Sequence, residues 1–152
     1  MKNIARNKKA YFDYHILETH QAGLELVGSE VKSLRLGKIS LKESFVKIVR
    51  EEAFLFNAHI AHLPTVNEHF KPDERRSRKL LLQKKEILKL MGRVQKEQLA
   101  IIPLEMYFNK RNIAKLRIGL AKGKKLYDKR EDLKSKDMDR SAKIAMKRDL
   151  YD

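Results

Sequence analysis

Apolar residues take every second position from Ala114 through Leu116, Ile118 and Leu120. Past Gly123 the chain turns to Lys124, Lys125, Tyr127, Asp128, Lys129 and Arg130. The first stretch has the period of a strand with one face on a core, whereas the second is cationic, carries one aromatic and has too little apolar surface to fold alone. Residues 122–152 hold eleven Lys or Arg and seven Asp or Glu, with no Pro and no Gly after Gly123. The core must therefore come from what precedes this junction. We expect a barrel over residues 1–121, with a basic, mobile arm at 1–9, and a basic C-terminal tail over 122–152 that is disordered when free and helical when a partner supplies the other wall.

The charge narrows the partners. Thirty-five Lys and Arg against 20 Asp and Glu give +15, spread along all 152 residues. Such a surface seeks polyanions, because attraction to phosphate is long-ranged and sequence-independent. Without cysteine, disulfides, thiolate nucleophiles and sulfur-ligated metal are excluded together. No apolar run is long enough to span a membrane, and the N-terminus lacks the apolar segment of a signal peptide, so a cytoplasmic protein is expected.

The body reads as short strands interrupted by helices. Ala10, Phe12, Tyr14 and Ile16 alternate as a strand, residues 19–23 read as a turn, and residues 24–27 as a second short strand. Ser29 is a plausible N-cap for a helix over 30–35. Residues 45–49 and 53–60 form a hairpin, with Phe54, Phe56, Ala58 and Ile60 on one face. Residues 63–78 read as one long, arginine-bearing connection. From Leu80 a helix with Ile87, Leu88, Met91 and Val94 near one face runs to about Gln95. In the following strand Ala100, Ile102, Leu104, Met106 and Phe108 share a face, and Pro103 marks an edge or a bulge. Residues 109–112 turn the chain into the last strand. This order predicts a mainly β protein, a small antiparallel barrel of the oligonucleotide-binding (OB) type with two to three helices.

No constellation supports catalysis. The glycine–lysine run 119–125 is one residue short of a phosphate loop and has Lys125 where a magnesium-binding hydroxyl would stand. His59 and His62 lack a third ligand, and Glu51 with Glu52 sits in a turn, so no metal, cofactor or catalytic residue is expected. Lysines at 8, 9, 32 and 79, with Arg35, Arg75, Arg76 and Arg78, suggest one extended basic surface. An RNA-processing enzyme and a basic OB-type protein that binds RNA or ribosomes without preference are the rival readings.

Several longer motifs resemble the small protein B family, the SsrA-binding partners of transfer-messenger RNA (tmRNA) in bacterial ribosome rescue. They are residues 7–11, 22–26, 28–35, 53–60, 78–82, 118–125 and 127–130, covering nearly the whole chain. The resemblance implies a six-stranded OB-type barrel that binds the elbow of the tRNA-like domain of tmRNA. Carried over by position, the elbow contacts are Lys8, Gln21, Arg35, Arg78, Lys79, Leu81, Gln83 and Lys124. Gln21 stands where some members have an acid, and Gln83 where His or Asn is usual; both retain hydrogen-bonding capacity. The resemblance also implies that Gly123 is a hinge and that Lys124, Lys125, Tyr127, Asp128, Lys129 and Arg130 reach the ribosomal decoding centre. Ile144 and Met146 would then anchor a helix farther down an empty message channel. The partners implied are tmRNA and small-subunit ribosomal RNA, approached by a monomer.

Overall fold

The computed structural model describes residues 2–64 and 72–124. In chain order the elements are β1 (Lys2–Arg6), α1 (Lys8–Asp13), β2 (Tyr14–Leu24), α2 (Gly28–Arg35), β3 (Ile39–Ser40), β4 (Phe45–Val49), β5 (Glu52–Phe56), β6 (His59–Ile60), β7 (Arg78–Leu81), α3 (Lys84–Glu97), β8 (Ala100–Phe108) and β9 (Ala114–Gly123). Strands β8, β4, β5, β7, β2 and β9 are successive antiparallel neighbours, and the β8–β9 pairing closes them into a ring. This is the expected six-stranded OB-like barrel. Beyond the ring, β1 pairs with β8, and β3 and β6 form a separate ribbon.

Closure explains why β8 is apolar on both parities. Its pairing with β9 shifts register between Pro103 and Glu105, so the bulge expected at Pro103 is present and the alternation inverts across it. Ile101, Met106 and Phe108 thereby enter the main core with Leu116, Ile118 and Leu120. Ile102 and Leu104 instead face a second apolar cluster with Ala10 of α1, Ala121 and the flanking Tyr11, Tyr14 and Ile16. The single apolar face read from the sequence is thus two faces joined by a bulge. Close packing of this second layer also requires Gly119: a Cβ there would lie 2.9 Å from Leu104 Cδ1 and 3.1 Å from Ile16 Cγ2.

Helix α1 replaces the first half of the strand expected from Ala10. Asn7 is its N-cap, accepting at Oδ1 from the Ala10 N–H, while its Nδ2 donates to the Pro103 carbonyl and its backbone N–H to that of Leu104. One side chain both starts the helix and fastens it to the β8 bulge. Residues 2–6 are not a loose arm, because backbone pairing with β8 supplies the order that their few apolar side chains could not. Nor do residues 19–23 turn: β2 runs unbroken to Leu24 with its pairing to β9 and β7 intact.

Other boundaries move for local reasons. Val27, not Ser29, caps α2; its N–H is accepted by the Glu30 carboxylate, half of a capping box. Arg50 and Glu51, both at positive φ, form a two-residue turn between β4 and β5. Positive φ at Asn57 follows the end of β5, so Phe54 and Phe56 do not share an inner face with Ala58 and Ile60. Ala53 and Leu55 are the buried pair of that strand. Residues 78–81 are a strand: Arg78 does not end a loop, and the helix begins not at Leu80 but at Lys84. Helix α3 buries Ile87 and Leu90, leaves Leu88 46% exposed, and stops where Gln98 turns left-handed.

Candidate nucleic-acid interface

Antiparallel pairing of β2 with β7 and β9 gathers the central residues of the expected interface. Gly23 lies opposite Leu81 on β7 and Lys115 on β9, and Gln21 lies opposite Arg117. A Cβ at Gly23 would stand 3.2 Å from Leu81 Cβ and 3.6 Å from Lys115 Nζ, so the missing side chain lets Leu81 and Lys115 close over the strand. Leu81 is 49% exposed, beside the Lys115 ammonium at Gly23. Gln83 follows two residues on, as the N-cap of α3 with no capping bond from its side chain, which leaves the amide for another partner.

Gln21 is held by a network across the outer face of β8 and β9. Its Nε2 donates to the Tyr107 hydroxyl. The Arg117 guanidinium sits over the Tyr107 ring at 5.7 Å and donates to Glu105, which also accepts from the Tyr11 hydroxyl at 2.8 Å. Arg6 in turn covers the Tyr11 ring at 4.8 Å. Burial, and the bond and negative charge of Glu105, push the Tyr11 hydroxyl above its ordinary pKa, so it remains a proton donor. The arrangement fixes glutamine, tyrosine and arginine groups in advance of any ligand, which reduces the ordering cost of binding.

The remaining expected residues fall elsewhere. Lys8 opens α1, and the Lys124 backbone N–H donates to the Asp13 carbonyl at the other end of that short helix. These two lie at the Tyr14–Gly123 end of the β2–β9 pair, remote along β2 from Gln21. Arg35 ends α2, exposed, and α2 packs chiefly on β6. Lys79 lies opposite Phe54, its Nζ 3.5 Å from Glu52. Gly123 is the last residue of β9, with open space around it. Lys125, Tyr127, Asp128, Lys129, Arg130, Ile144 and Met146 lie outside the described residues.

Arg78 is a correction. It is fully buried and ion-paired to Glu30 at 2.6 Å, and it also donates to the carbonyls of Ala58, Glu74 and Arg76. A guanidinium with its donors spent inside the protein cannot reach a phosphate. Burial alone would raise the Glu30 carboxyl, but bonds from Arg76, the Val27 N–H and Arg78 outweigh it and hold the group below its ordinary pKa. Burial lowers Arg78, opposed by Glu30, yet from so high a starting value that both members stay charged. The pair ties α2 to β7 across 48 residues of sequence.

Lys115 and Arg117 are the residues that the sequence reading missed. The signal was available: they occupy the outer parity of a strand whose inner parity was assigned. Among the described residues no group of three His, Cys, Asp or Glu could hold a metal ion, and His59 is paired instead with Glu74. No helix among them is long and apolar enough to cross a membrane.

Comparison with known proteins bears on this surface. The sequence model of the family described as SmpB protein matches residues 4–148. A protein named SsrA-binding protein from a Nitratiruptor species is 60% identical over 147 residues, 97% of this chain and 98% of the relative. Another of that name from Helicobacter hepaticus is 61% identical, covering 95% and 93%. Among solved structures, a chain described under "tmRNA-SmpB: a journey to the center of the bacterial ribosome" matches with a TM-score of 0.66 at 45% identity, over 80% of this chain and 85% of that one.

Proposed function

The chain belongs to the SmpB family, and from that premise we propose that it is a non-enzymatic adaptor which binds the tRNA-like domain of tmRNA and carries it to stalled ribosomes. The observation that carries the assignment of its surface is the meeting of Gln21 and Leu81 on one face, edged by Lys79, Lys115 and Arg117, with Gln83 two residues beyond Leu81. An elbow presents unstacked bases and a bent backbone. Leu81 offers an apolar plate to the bases, the glutamine amides read polar edges, and the cations hold phosphates. Lys8 and Lys124 extend phosphate contact toward the α1 end, with Arg35 as an outlying cation; Arg78 has no part in it.

The barrel and the C-terminal segment divide the work. Gly123 is the hinge. Lys124, Lys125, Tyr127, Asp128, Lys129 and Arg130 engage the decoding centre, and Ile144 and Met146 act farther along the empty message channel. A cationic segment suits a channel lined with RNA phosphate, and it has room there only when message is absent. The protein acts as a cytoplasmic monomer.

Two measurements test this reading. In competition at fixed salt, tmRNA should outcompete an unrelated folded RNA, and Leu81→Ser should weaken tmRNA binding by about 5- to 150-fold if one base contact is lost. Equal affinity for the two RNAs would favour a general basic RNA-binding barrel. Truncation after Lys124, which spares every described strand pairing, should preserve tmRNA affinity within about threefold, far less than the loss of a base contact, and abolish peptide tagging on stalled ribosomes. Tagging by the truncated protein would refute the division of labour.

A further inference from the structure

The outer face of the β4–β5 hairpin has no part in the function proposed above. Its inner residues Val46, Ala53 and Leu55 are buried, which turns Phe45, Lys47, Phe54 and Phe56 outward. Register sets them in rows: Phe45 opposite Phe56, then Lys47 opposite Phe54, with Lys79 of β7 opposite Phe54 on its other side. The Phe45 and Phe56 rings stack at 5.4 Å with their planes 17° apart, and Phe54 lies 6.3 Å from Phe56. Lys47 Nζ stands 5.4 Å from the Phe45 ring centre. Phe45 remains 37% exposed.

A sheet face left to solvent ordinarily carries polar side chains, yet here phenylalanines alternate with lysines. Rings that stack on bases, beside ammonium groups that meet the intervening phosphates, are the two components of a single-strand RNA site. The position fits as well: counted along the chain from β2, the barrel strands β4 and β5 are the second and third, the face through which OB barrels take oligonucleotides. Charge complementarity selects a polyanion as the occupant. Lys9 lines the same hollow as Phe45 at one edge, beside Asp13 and Glu43, and Lys79 stands at the other edge, two residues from Leu81. Glu52, 3.5 Å from Lys79, forms an exposed pair that a phosphate replaces at little cost.

We propose that this face is a second RNA site, a stacking platform for roughly two to three unpaired nucleotides. It adjoins the surface that takes the folded tRNA-like domain, with Lys79 on their shared border, and it relies on the RNA-binding reading only for the class of partner. Fluorescein-labelled decauridine, titrated with the full chain at fixed salt and followed by anisotropy, is the probe. Phe45→Leu keeps apolar bulk but removes the ring, so it should weaken binding by about 5- to 150-fold, with Phe45→Trp restoring it. Lys47→Gln should flatten the salt dependence by about 0.7 log unit per log unit of salt. Should Phe45→Leu not fold, the salt slope of Lys47→Gln and upfield shifts of the Phe45 ring protons on adding decauridine decide the matter. Leucine binding as tightly as phenylalanine in a folded variant would overturn the proposal, as would unshifted ring protons or equal competition by polyglutamate. Absence of decauridine binding with tmRNA affinity intact would overturn this site alone. A protein that binds decauridine through Phe45 but does not prefer tmRNA would instead overturn the adaptor reading.

Discussion

The β8–β9 ribbon and the β4–β5 hairpin are both antiparallel pairs in one ring, and both carry large apolar side chains on both of their faces. In the ribbon the second face is covered, since α1 lies on Ile102, Leu104 and Ala121. In the hairpin Phe45, Phe54 and Phe56 pack on one another beside Lys47, and Phe45 stays 37% exposed. The same composition is structural where a helix is fastened over it and available for binding where none is. What separates the two outcomes is Asn7, which can anchor α1 because the β8 bulge presents it with the Pro103 carbonyl.

The comparison breaks most severely at the pin beside the hairpin. Glu30→Gln would leave Arg78 buried without its counter-charge, so chemical denaturation at neutral pH should show a loss of about 3–5 kcal/mol. The same pair sets an acid limit. Because the folded carboxyl titrates below its unfolded value of about 4.3, its contribution is fully present above that value and is lost as pH falls through the lower, folded one. Stability of the wild type should therefore fall more steeply than that of Glu30→Gln below about pH 4. Parallel curves would remove Glu30 as the acid-sensitive group.

Next comes the covered face. Leu104→Ala empties a fully buried site between the ribbon and α1, and should cost about 2–5 kcal/mol in the same assay. Hydrogen exchange should show α1 loosened more than the hairpin. The smallest effect belongs to the open face: Phe45→Leu should change stability by less than about 1 kcal/mol, the value of a cross-strand pair, while its effect is read in RNA binding. A loss as large as that of Leu104→Ala would mean that the hairpin rings are structural too.

Strict alternation made β9 legible: Ala114, Leu116, Ile118 and Leu120 were assigned inward and are buried. Leu81 and Gln83 could be placed near Gln21 only by resemblance, since their meeting depends on the β2–β7 register. The failures have specific causes. Alternating aromatics over Ala10–Tyr14 imitated a strand because the capping role of Asn7 is completed by a carbonyl 96 residues away. Arg78 passed for a surface cation because Glu30, which buries it, lies 48 residues earlier. Thr19 and Gly23 suggested a turn, but Gly23 is small to admit Leu81 and Lys115, not to bend the chain.

The bulge at Pro103 amounts to a phase slip in a two-state code. Upstream of it, odd positions such as Ile101 belong to the barrel; downstream, even ones such as Met106 and Phe108 do. Removing Leu104, which has no partner on β9, would make the strand regular and keep every other pairing, at the cost of the contact it makes with α1. Elsewhere in β8 no spare residue absorbs a deletion, so length is more tightly constrained than identity: a conservative substitution alters one contact, whereas losing one paired residue inverts every contact beyond it.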